Sequence, residues 1–247
     1  MLMLCPRPRP CRVSRQLTGA FQIYNRITIR PVAQHHHAFS TAIPYQSPKP
    51  EQPCRPKRIV IGITGATGTI YAVRLLEILR DLSIETHLIM SKWAHTTLKY
   101  ETDRTEAEIH SLASRVYTAR DMTAPIASGS FLHDGMIIVP CSMKTLAAVR
   151  IGFCDDLISR AADVTLKERR TLMLVPRETP LSDIHLENLL AVRKMGAVVF
   201  PPMPAFYTRP KSLEEMVEQS VGRMLDNFGI HTDGFERWNG CDWKKKK

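Results

Sequence analysis

Two kinds of hydrophobic pattern alternate along the chain from residue 58 onwards. Short runs of consecutive aliphatic and β-branched residues, such as RIVIGIT at 58–64, are typical of strands that are buried on both faces of a sheet. Longer segments carry apolar residues at every third or fourth position, which predicts amphipathic helices. The predicted strands are 58–64, 84–90, 136–139, 171–175 and 197–200.

The predicted helices fill the intervals between these strands. They span 69–79, 93–113 with an interruption near 101–104, 142–150, 155–170, 182–195 and 212–227. A capping-box pattern, Ser212-x-x-Glu215, marks the start of the last one. Alternation of this kind predicts an α/β fold with a Rossmann-like or flavodoxin-like doubly wound parallel sheet, in a single domain over 58–230. Ligands of such folds bind at the carboxyl ends of the strands.

Residues 1–57 lack this regularity and have a different composition. They contain nine Lys and Arg residues, nine of the 17 prolines and one acid, Glu51. Apolar residues between 13 and 27 recur at helical spacing and are flanked by arginines, a pattern typical of a mitochondrial transit peptide. The alternative is a basic tail without a targeting role. The leader therefore predicts a mitochondrial protein, and residues 231–247 are assigned to a C-terminal tail that ends in four lysines.

The formal net charge of +10 comes from the two ends of the chain. Residues 58–243 hold 21 basic and 23 acidic residues, so net charge gives no support for a nucleic-acid surface on the body of the protein. No apolar run approaches the length that crosses a membrane. The predicted domain over 58–230 has two cysteines, Cys141 and Cys154. They form no CxxC and no Cys/His metal spacing, which predicts a reducing compartment and no metal site.

The first loop, Gly62-x-x-Gly65-x-x-Gly68, follows a predicted strand and begins a helix. An anion above its backbone amides would interact favourably with the helix N-terminus. The spacing matches neither the G-x-G-x-x-G dinucleotide motif nor a Walker loop, so a turn without a ligand is the alternative. The second strand ends in Ser91 and Lys92 instead of the acid that binds the ribose of NAD. These loops favour a ligand with a terminal phosphate over NAD.

The remaining strand ends carry hydroxyl groups, cations and one carboxylate. Ser142 and Thr145 follow the third predicted strand, where they could bind a ligand or cap the next helix. Arg177 and Glu178 lie between two prolines after the fourth strand. Further donors are Arg160 and Lys167, which could also belong to a solvated salt-bridge face, and Tyr207, Arg209 and Arg223. The set predicts a phosphate-rich small-molecule site in which cations and backbone amides take the place of a metal ion.

Five motifs of the chain resemble the UbiX-type flavin prenyltransferases, a family that includes the fungal mitochondrial proteins once called phenylacrylic acid decarboxylases. The resemblance covers nearly the whole body of the chain and leaves out the leader and the lysine tail. Its most specific part is the segment 160–170 together with 175–178. The motifs are TGATG at 64–68, APIASGS at 124–130, RAADVTLKERR at 160–170, VPRE at 175–178 and IHLEN at 184–188.

The resemblance implies a metal-independent transferase. In that reaction the dimethylallyl group of dimethylallyl monophosphate is joined to N5 and C6 of reduced FMN, and the product, prenylated FMN, serves a UbiD-type decarboxylase. The family also implies a homo-oligomer, a dodecamer with sites between subunits. By motif, the FMN ligands are Gly65, Ala66, Thr67, Ser91, Ser142, Met143, Lys144, Thr145 and Arg177; the dimethylallyl phosphate ligands are Lys167, Tyr207 and Arg223; the catalytic residues are Glu178, which relays protons, Lys167 and Arg160.

This chain departs from the family pattern at two positions. Thr67 stands where the family often has serine, which keeps the hydroxyl and adds a methyl group. Met122 stands where bacterial members can carry tryptophan, so an aromatic wall over the prenyl group is replaced by a thioether. His185 lies in a family motif at a helix start, where a structural hydrogen bond is the favoured role.

Three other functions stand as alternatives. The first is an FMN-dependent decarboxylase of aromatic (phenylacrylic) acids, although Lys167 and the Arg177–Glu178 pair favour a reaction with a phosphate leaving group. The second is a short-chain dehydrogenase, which TGATG resembles but which the missing acid after the second strand disfavours. The third is a protein that only stores FMN, which a turnover assay would distinguish from an enzyme.

Overall fold

The computed structural model describes residues 55–240. The elements in chain order are β1 (Arg58–Ile63), α1 (Thr69–Asp81), β2 (Glu85–Met90), α2 (Lys92–Glu101), α3 (Glu106–Leu112), β3 (Arg115–Thr118), β4 (Gly135–Cys141), α4 (Met143–Ile151), α5 (Leu157–Lys167), β5 (Leu172–Pro176), α6 (Asp183–Lys194), β6 (Val198–Val199) and α7 (Leu213–Asp226). The strands form one parallel sheet in the order β3-β2-β1-β4-β5-β6. This is the Rossmann strand order, so the predicted doubly wound α/β fold is confirmed.

The central strand β1 contributes to hydrophobic clusters on both faces of the sheet. Ile59, Ile61 and Ile63 pack with residues of α1 and α7, whereas Val60 belongs to a second cluster that includes residues of α4 and α5. Gly62 lies close to α5, since a Cβ added there would come within 3.2 Å of Ile158 Cγ2. Successive side chains of β1 therefore pack against helices on opposite faces of the sheet, as in a parallel sheet that is buried on both faces.

One strand, β3, is missed by the sequence pattern. It lies at the edge of the sheet and pairs with β2 alone, from His87 opposite Arg115 to Met90 opposite Thr118. Its four residues are mostly exposed, so no continuous apolar run marks it. The predicted interruption of the second helix is confirmed, because α2 ends at Glu101 and α3 begins at Glu106.

The capping box predicted at the start of α7 is half formed. The amide of Glu215 donates to Ser212 Oγ at 3.3 Å, as predicted. The Glu215 carboxylate, however, accepts from the amide of Lys211 at 2.7 Å and not from that of Ser212. The Glu215 side chain thus reaches one residue further back than a complete capping box requires.

The first described residues contact the domain. The Arg55 guanidinium donates to both carboxylate oxygens of Asp134, at 2.9 and 3.0 Å, and Lys57 Nζ donates to Phe228 O at 2.6 Å. Residues 1–54 and 241–247 lie outside the described residues. The predicted leader, its boundary at 57 and the predicted tail therefore stay predictions.

After α7 the chain packs back onto that helix. Asp226 accepts two hydrogen bonds from Arg237, at 2.8 and 2.9 Å, and the ring of Phe235 covers Gly222, where any side chain would collide with it. The segment 231–238 thus braces the last helix. Among residues 55–240, no helix combines the length and apolar character that crossing a membrane needs.

Candidate active site

A single hydroxyl joins the carboxyl ends of β1 and β4. Thr64 follows β1; its Oγ1 donates to Pro140 O at 2.7 Å and accepts from the amide of Ser142 at 2.8 Å. The winding of the chain reverses between these two strands, which is where a doubly wound fold binds its ligand. Thr64 therefore holds the predicted FMN loops, 65–67 and 142–145, side by side in that crevice.

The start of α2 lies against the first loop. Ser91 connects β2 to α2: its amide donates to Ile63 O at 2.9 Å, and its hydroxyl accepts from the amide of Ala94 at 3.1 Å. Gly65 is in contact with Trp93, and a Cβ at Gly65 would overlap the Trp93 side chain. Glycine is thus required at 65 by the close approach of α2, and the Ser91 hydroxyl caps a helix beside its predicted contact with FMN.

The loop after β4 shows the capping role that the sequence left open. Ser142 Oγ accepts from the amide of Thr145 at 3.3 Å and lies 3.1 Å from Thr145 Oγ1. The Met143 side chain is buried, so a ligand in the crevice would meet its backbone. Lys144 is largely exposed, with Nζ 3.6 Å from an Asp155 carboxylate oxygen. The start of α4 therefore offers amides, hydroxyls and one mobile cation to an anion.

Arg177 is packed between the first loop and α1. Its guanidinium carbon lies 5.8 Å from the centre of the Tyr71 ring. Gly68, with φ of +105°, brings the first loop against the same side chain: a Cβ at Gly68 would be 3.2 Å from Arg177 Nε. That Nε is buried and has no hydrogen-bond partner among residues 55–240. A buried N–H without a partner is costly, so the geometry fits an anionic ligand that would accept from it.

Glu178 is the neighbouring carboxylate and has a different environment. The residue is exposed, and its Oε1 accepts from the amide of Thr179 at 3.2 Å. Because it follows β5 directly, it lies at the carboxyl edge of the sheet with Arg177. The structure thus places the predicted proton carrier beside the predicted FMN ligand.

Lys167 does not lie near Glu178 within one chain. It ends α5, just before β5 begins, whereas Glu178 follows the end of β5. The five residues of β5 span about 16 Å at 3.3 Å per residue, so the two side chains start from opposite edges of the sheet. Lys167 Nζ pairs with the adjacent Glu168.

Arg160 lies on α5 two turns before Lys167 and is bound to the loop that precedes β4. Its Nε donates to Ala127 O at 3.1 Å and its Nη1 to Asp163 at 2.9 Å. The predicted salt-bridge face of α5 is therefore present, and it also holds the 124–130 family motif against the helix. Arg160 has a structural role here in addition to its predicted place near the substrate.

Tyr207 and Arg223 form a third group, beside the segment that follows α7. The Tyr207 ring meets the Trp238 ring edge-on with centroids 5.4 Å apart, and Arg223 Nε lies 3.6 Å from Asp226. The end of α7 is at the amino edge of the sheet, where Lys57 precedes β1. The predicted phosphate ligands Arg223 and Lys167 thus lie at the edge opposite Glu178.

One residue that the sequence reasoning missed, Glu101, binds the first loop directly. Its Oε2 accepts from the amides of Gly68 and Thr69 at 2.9 and 2.8 Å. Burial alone would raise the pKa of Glu101, but hydrogen bonds from Thr67, Thr69 and Gly68 outweigh it and hold the pKa below the ordinary glutamate value. The anion that the first loop was expected to attract is therefore supplied by the protein itself. The predicted break after Glu101 was the available signal, because a helix end can reach a second element.

Comparison with known proteins identifies the family. The flavoprotein family profile matches residues 47–226. The mitochondrial flavin prenyltransferase PAD1 of Saccharomyces cerevisiae is 63% identical over 192 residues, which are 78% of this chain and 79% of that protein. This chain belongs to the flavin prenyltransferase family. Its resemblance to UbiX-type proteins, first indicated by the five motifs, is confirmed.

Two solved structures of similar proteins share the fold. AnUbiX (PadA1), crystallised with FMN and dimethylallyl pyrophosphate, is 60% identical, with a TM-score of 0.75 over 76% of this chain and 100% of that one. A dodecameric FMN-dependent UbiX-like decarboxylase from Escherichia coli O157:H7 is 51% identical, with a TM-score of 0.73 over 74% of this chain and 100% of that one.

A separate cavity of about 1080 Å³ lies between α1, the α2–α3 connection and α7 of this flavin prenyltransferase. It shares no residue with the predicted FMN set. Its charged lining is mostly acidic, which disfavours a phosphate, so the crevice at the carboxyl edge is the better candidate site. Within residues 55–240, no group of three or more His, Cys, Asp or Glu side chains is arranged to hold a metal ion. The acids that line the cavity are Glu77, Glu101, Asp103, Glu108, Glu214, Glu215, Glu218 and Glu236.

Proposed function

We propose that this chain joins the dimethylallyl group of dimethylallyl monophosphate to N5 and C6 of reduced FMN and so makes prenylated FMN for a UbiD-type decarboxylase. The C–O bond to phosphate breaks and the phosphate leaves with its electron pair. N5 and C6 each give up a proton to a base as they bond to carbon, and the dimethylallyl double bond takes up one proton as its tertiary carbon bonds to C6. Membership in the flavin prenyltransferase family and the solved complex of a 60% identical relative with FMN and dimethylallyl pyrophosphate support this proposal.

The observation that carries the proposal is the unpaired, buried Nε of Arg177 in the crevice. Reduced FMN supplies the nucleophilic ring nitrogen and carbon when it is bound. Arg177 would hold the nucleotide by an ionic hydrogen bond, with the loops 65–67 and 142–145 and Ser91 as further ligands. A charge-assisted hydrogen bond of this kind contributes about 1.5–3 kcal/mol.

Glu178 is assigned the proton transfer. The carboxylate is exposed at the carboxyl edge next to Arg177, so it can reach both a bound ligand and solvent. It would accept the proton from C6 or pass one to the departing phosphate. Acting as a base requires its carboxylate form.

The phosphate of the prenyl donor is assigned to Lys167, Tyr207 and Arg223, with Arg160 nearby. Several cationic donors can stabilise a departing phosphate dianion without a metal ion. Because Lys167 and Arg223 lie at the edge opposite Glu178, a site that contains all of them has to form between copies of the chain. We therefore propose a homo-oligomer, a dodecamer by analogy with the dodecameric relative.

The test is anaerobic incubation of the protein with reduced FMN and dimethylallyl monophosphate, followed by mass spectrometry of the extracted flavin. A mass increase of C5H8, which is one dimethylallyl group less the hydrogen it replaces, is expected in the presence of excess chelator. A parallel reaction with dimethylallyl pyrophosphate identifies the donor, since the relative's crystal contained that compound. Unmodified flavin with both donors would overturn the proposal, and a strict requirement for magnesium would overturn its metal-free mechanism.

A second candidate is direct decarboxylation of phenylacrylic acids with FMN. The description of the 51% identical Escherichia coli structure as a decarboxylase favours it. Release of CO₂ from a phenylacrylic acid by the purified chain with FMN, and without any partner protein, would support this alternative. We favour the transferase because the chain carries phosphate-binding cations that a decarboxylase would not use.

We also propose that residues 1–57 direct the chain to mitochondria. The leader has the composition of a transit peptide, and the similar Saccharomyces cerevisiae protein is named as mitochondrial.

A further inference from the structure

Two arginines approach the carboxylate of Asp226 at the end of α7. Arg237 donates to both oxygens, from Nη1 to Oδ2 at 2.8 Å and from Nη2 to Oδ1 at 2.9 Å. Arg223, one turn earlier on the same helix, brings its Nε to 3.6 Å from Oδ2, which is beyond the length of a hydrogen bond. A pair of ionic hydrogen bonds is the stronger contact, so the carboxylate is bound by Arg237 and not by Arg223.

Arg237 is fixed in this position by further contacts. Its Nη2 also donates to Thr232 O at 3.3 Å, and its guanidinium carbon lies 4.5 Å from the centre of the Phe235 ring. The hydrogen bond from Arg237 is also the main cause that holds the pKa of Asp226 below the ordinary aspartate value. The side chain of Arg223, by contrast, is more than half exposed, so its guanidinium can turn towards a ligand.

The segment that carries Arg237 also contacts the other predicted phosphate ligand of this group. Trp238 follows Arg237 directly and meets the Tyr207 ring edge-on, with centroids 5.4 Å apart. The contact between Arg237 and Asp226 therefore lies between the predicted ligands Tyr207 and Arg223, although Arg237 itself was not predicted to bind anything.

We propose that Arg237 is a positioning residue for the prenyl donor. By binding both oxygens of Asp226, it leaves the guanidinium of Arg223 free for the phosphate of the donor. Arg223 and Asp226 are three residues apart on a helix, a spacing at which an arginine and a carboxylate pair readily. Without Arg237, Arg223 would therefore be neutralised by its own helix. The proposal rests on the proposed function in one respect, namely that Arg223 binds the phosphate.

A double-mutant cycle tests this role. Arg237→Ala makes Asp226 available to Arg223, Asp226→Asn removes the competing carboxylate, and a third chain combines both changes. Arg55→Ala is the matched control, because Arg55 also donates to both oxygens of an aspartate, Asp134, at 2.9 and 3.0 Å. Calorimetry measures the dissociation constant of dimethylallyl monophosphate for the protein loaded with oxidised FMN, since the proposed reaction needs reduced FMN.

Arg237→Ala is expected to raise this dissociation constant about fivefold, which corresponds to about 1 kcal/mol, the upper end for an exposed ion pair. Asp226→Asn should restore binding to within about twofold of wild type in the Arg237→Ala chain, and should change it by less than about twofold in the otherwise native chain. Arg55→Ala should bind the donor like wild type. An equal effect of Asp226→Asn in both chains would assign the change to net charge alone and overturn the proposal.

A direct contact between Arg237 and the phosphate predicts a different result. In a chain that already carries Arg223→Ala, we expect Arg237→Ala to have no further effect, because Asp226 no longer has an Arg223 guanidinium to bind. A further loss of affinity in that chain would make Arg237 a ligand and overturn the positioning role. If Arg237→Ala does not fold, Arg237→Lys takes its place in the cycle, since a lysine cannot bind both carboxylate oxygens as a fork. An additive cycle would again overturn the proposal.

The last measurement needs no ligand. In the crystal structure of the Arg237→Ala protein, Arg223 should donate to Asp226 at about 2.9 Å. A separation that stays at 3.6 Å or more would overturn the proposal. This structure gives an answer even if wild type binds no dimethylallyl monophosphate, a result that would count against the proposed function alone.

Discussion

Arg177 and Glu178 are adjacent in the chain, yet the fold gives them opposite environments. The arginine is packed against Tyr71 and Gly68 with a buried Nε, whereas the glutamate is exposed. A packed cation is suited to holding an anion in one orientation, because little side-chain entropy remains to be lost on binding. An exposed carboxylate is suited to exchanging protons. The proposed function thus divides binding and proton transfer between two consecutive residues.

Glu178→Gln is expected to retain FMN binding and to form prenylated FMN about 10²–10⁴ times more slowly, the usual contribution of a positioned acid–base group. The amide has nearly the same shape but cannot take up the proton. Fluorescence titration measures the FMN dissociation constant, and mass spectrometry of timed samples measures the rate.

Glu106→Gln is the matched control, since it makes the same change at an exposed carboxylate on α3. Its rate should equal that of wild type. A wild-type rate in Glu178→Gln would remove Glu178 from proton transfer, and loss of FMN binding together with activity would make it a structural residue.

At the scale of elements, the sequence was sufficient wherever an apolar run or a helical period marked a buried face. The sequence did not predict β3, because an edge strand pairs on one side only and its residues stay largely exposed. The sequence pattern did not predict the contact of Glu101 with Gly68 either, because these residues are 33 positions apart in the chain. Periodicity shows which face of a helix is buried, but not which loop its last side chain will reach.

The candidate site was predictable to a similar extent. The rule that ligands bind at the carboxyl ends of strands located Arg177, Glu178 and the loops around Thr64. The rule could not place Lys167 or Arg223, because it concerns only the loops that follow strands. These two residues lie near the ends of helices, which return the chain to the opposite edge of the sheet. Family motifs assigned them to one site, and the single chain separates them.

His133 lies two residues before β4 and is buried, with Nδ1 3.1 Å from Gly135 O. Burial lowers the pKa of His133 to about 4, against a smaller opposing effect of the Gly135 carbonyl. The unfolded chain takes up this proton near the ordinary value of 6.5, so it binds more protons than the folded chain between those values. The resulting stability is complete above pH 6.5 and is lost as the pH falls towards 4.

The free energy of unfolding should therefore decrease through this window, at a limiting slope of about 1.4 kcal/mol per pH unit from His133. In His133→Gln, which keeps an N–H for the Gly135 carbonyl, the slope should be smaller by that amount. Urea unfolding at several pH values measures it, with His231→Gln as an exposed control. Equal slopes in wild type and His133→Gln would assign the effect to other groups such as His87, whose pKa burial also lowers.

At the scale of the whole molecule, the site proposed above needs an assembly, because one chain separates Lys167 from Glu178. Large apolar side chains are exposed in several places, among them Ile184, Leu190 and Phe206, each more than half accessible in the single chain. Exposed apolar surface of this kind is typical of contacts between protein chains. Burial in an oligomer would account for it.

Mixing two impaired variants tests whether Glu178 and Lys167 of one site come from the same chain or from two chains. In oligomers assembled from equal amounts of Glu178→Gln and Lys167→Ala chains, about a quarter of the sites should combine both native residues if each site draws them from different chains. Turnover of dimethylallyl phosphate should then rise well above the residual rate of either variant alone. A mixture no faster than its components would place both residues in the same chain.

Two shortened chains, which begin at residues 55 and 58, test the proposed targeting role of the leader. A chain that begins at residue 55 should fold and turn over like the full chain but no longer enter mitochondria. A chain that begins at 58 also loses the Arg55–Asp134 ion pair and the hydrogen bond from Lys57 to Phe228. Its free energy of unfolding, measured with urea, should therefore be lower by about 1–2 kcal/mol. Unchanged import of the shorter chain would contradict the targeting role.

The double hydrogen bond of Thr64 has a consequence for engineering. The Thr64 amide also donates to Pro140 O, at 3.2 Å, and β1 pairs with β4 along its length, so the backbone keeps the two strands together without the hydroxyl. What the hydroxyl adds is the hydrogen bond from the Ser142 amide, which fixes the start of the 142–145 loop against β1. Thr64→Val, which keeps the volume of the side chain, should therefore loosen that loop towards a broader isoalloxazine analogue while the sheet stays intact.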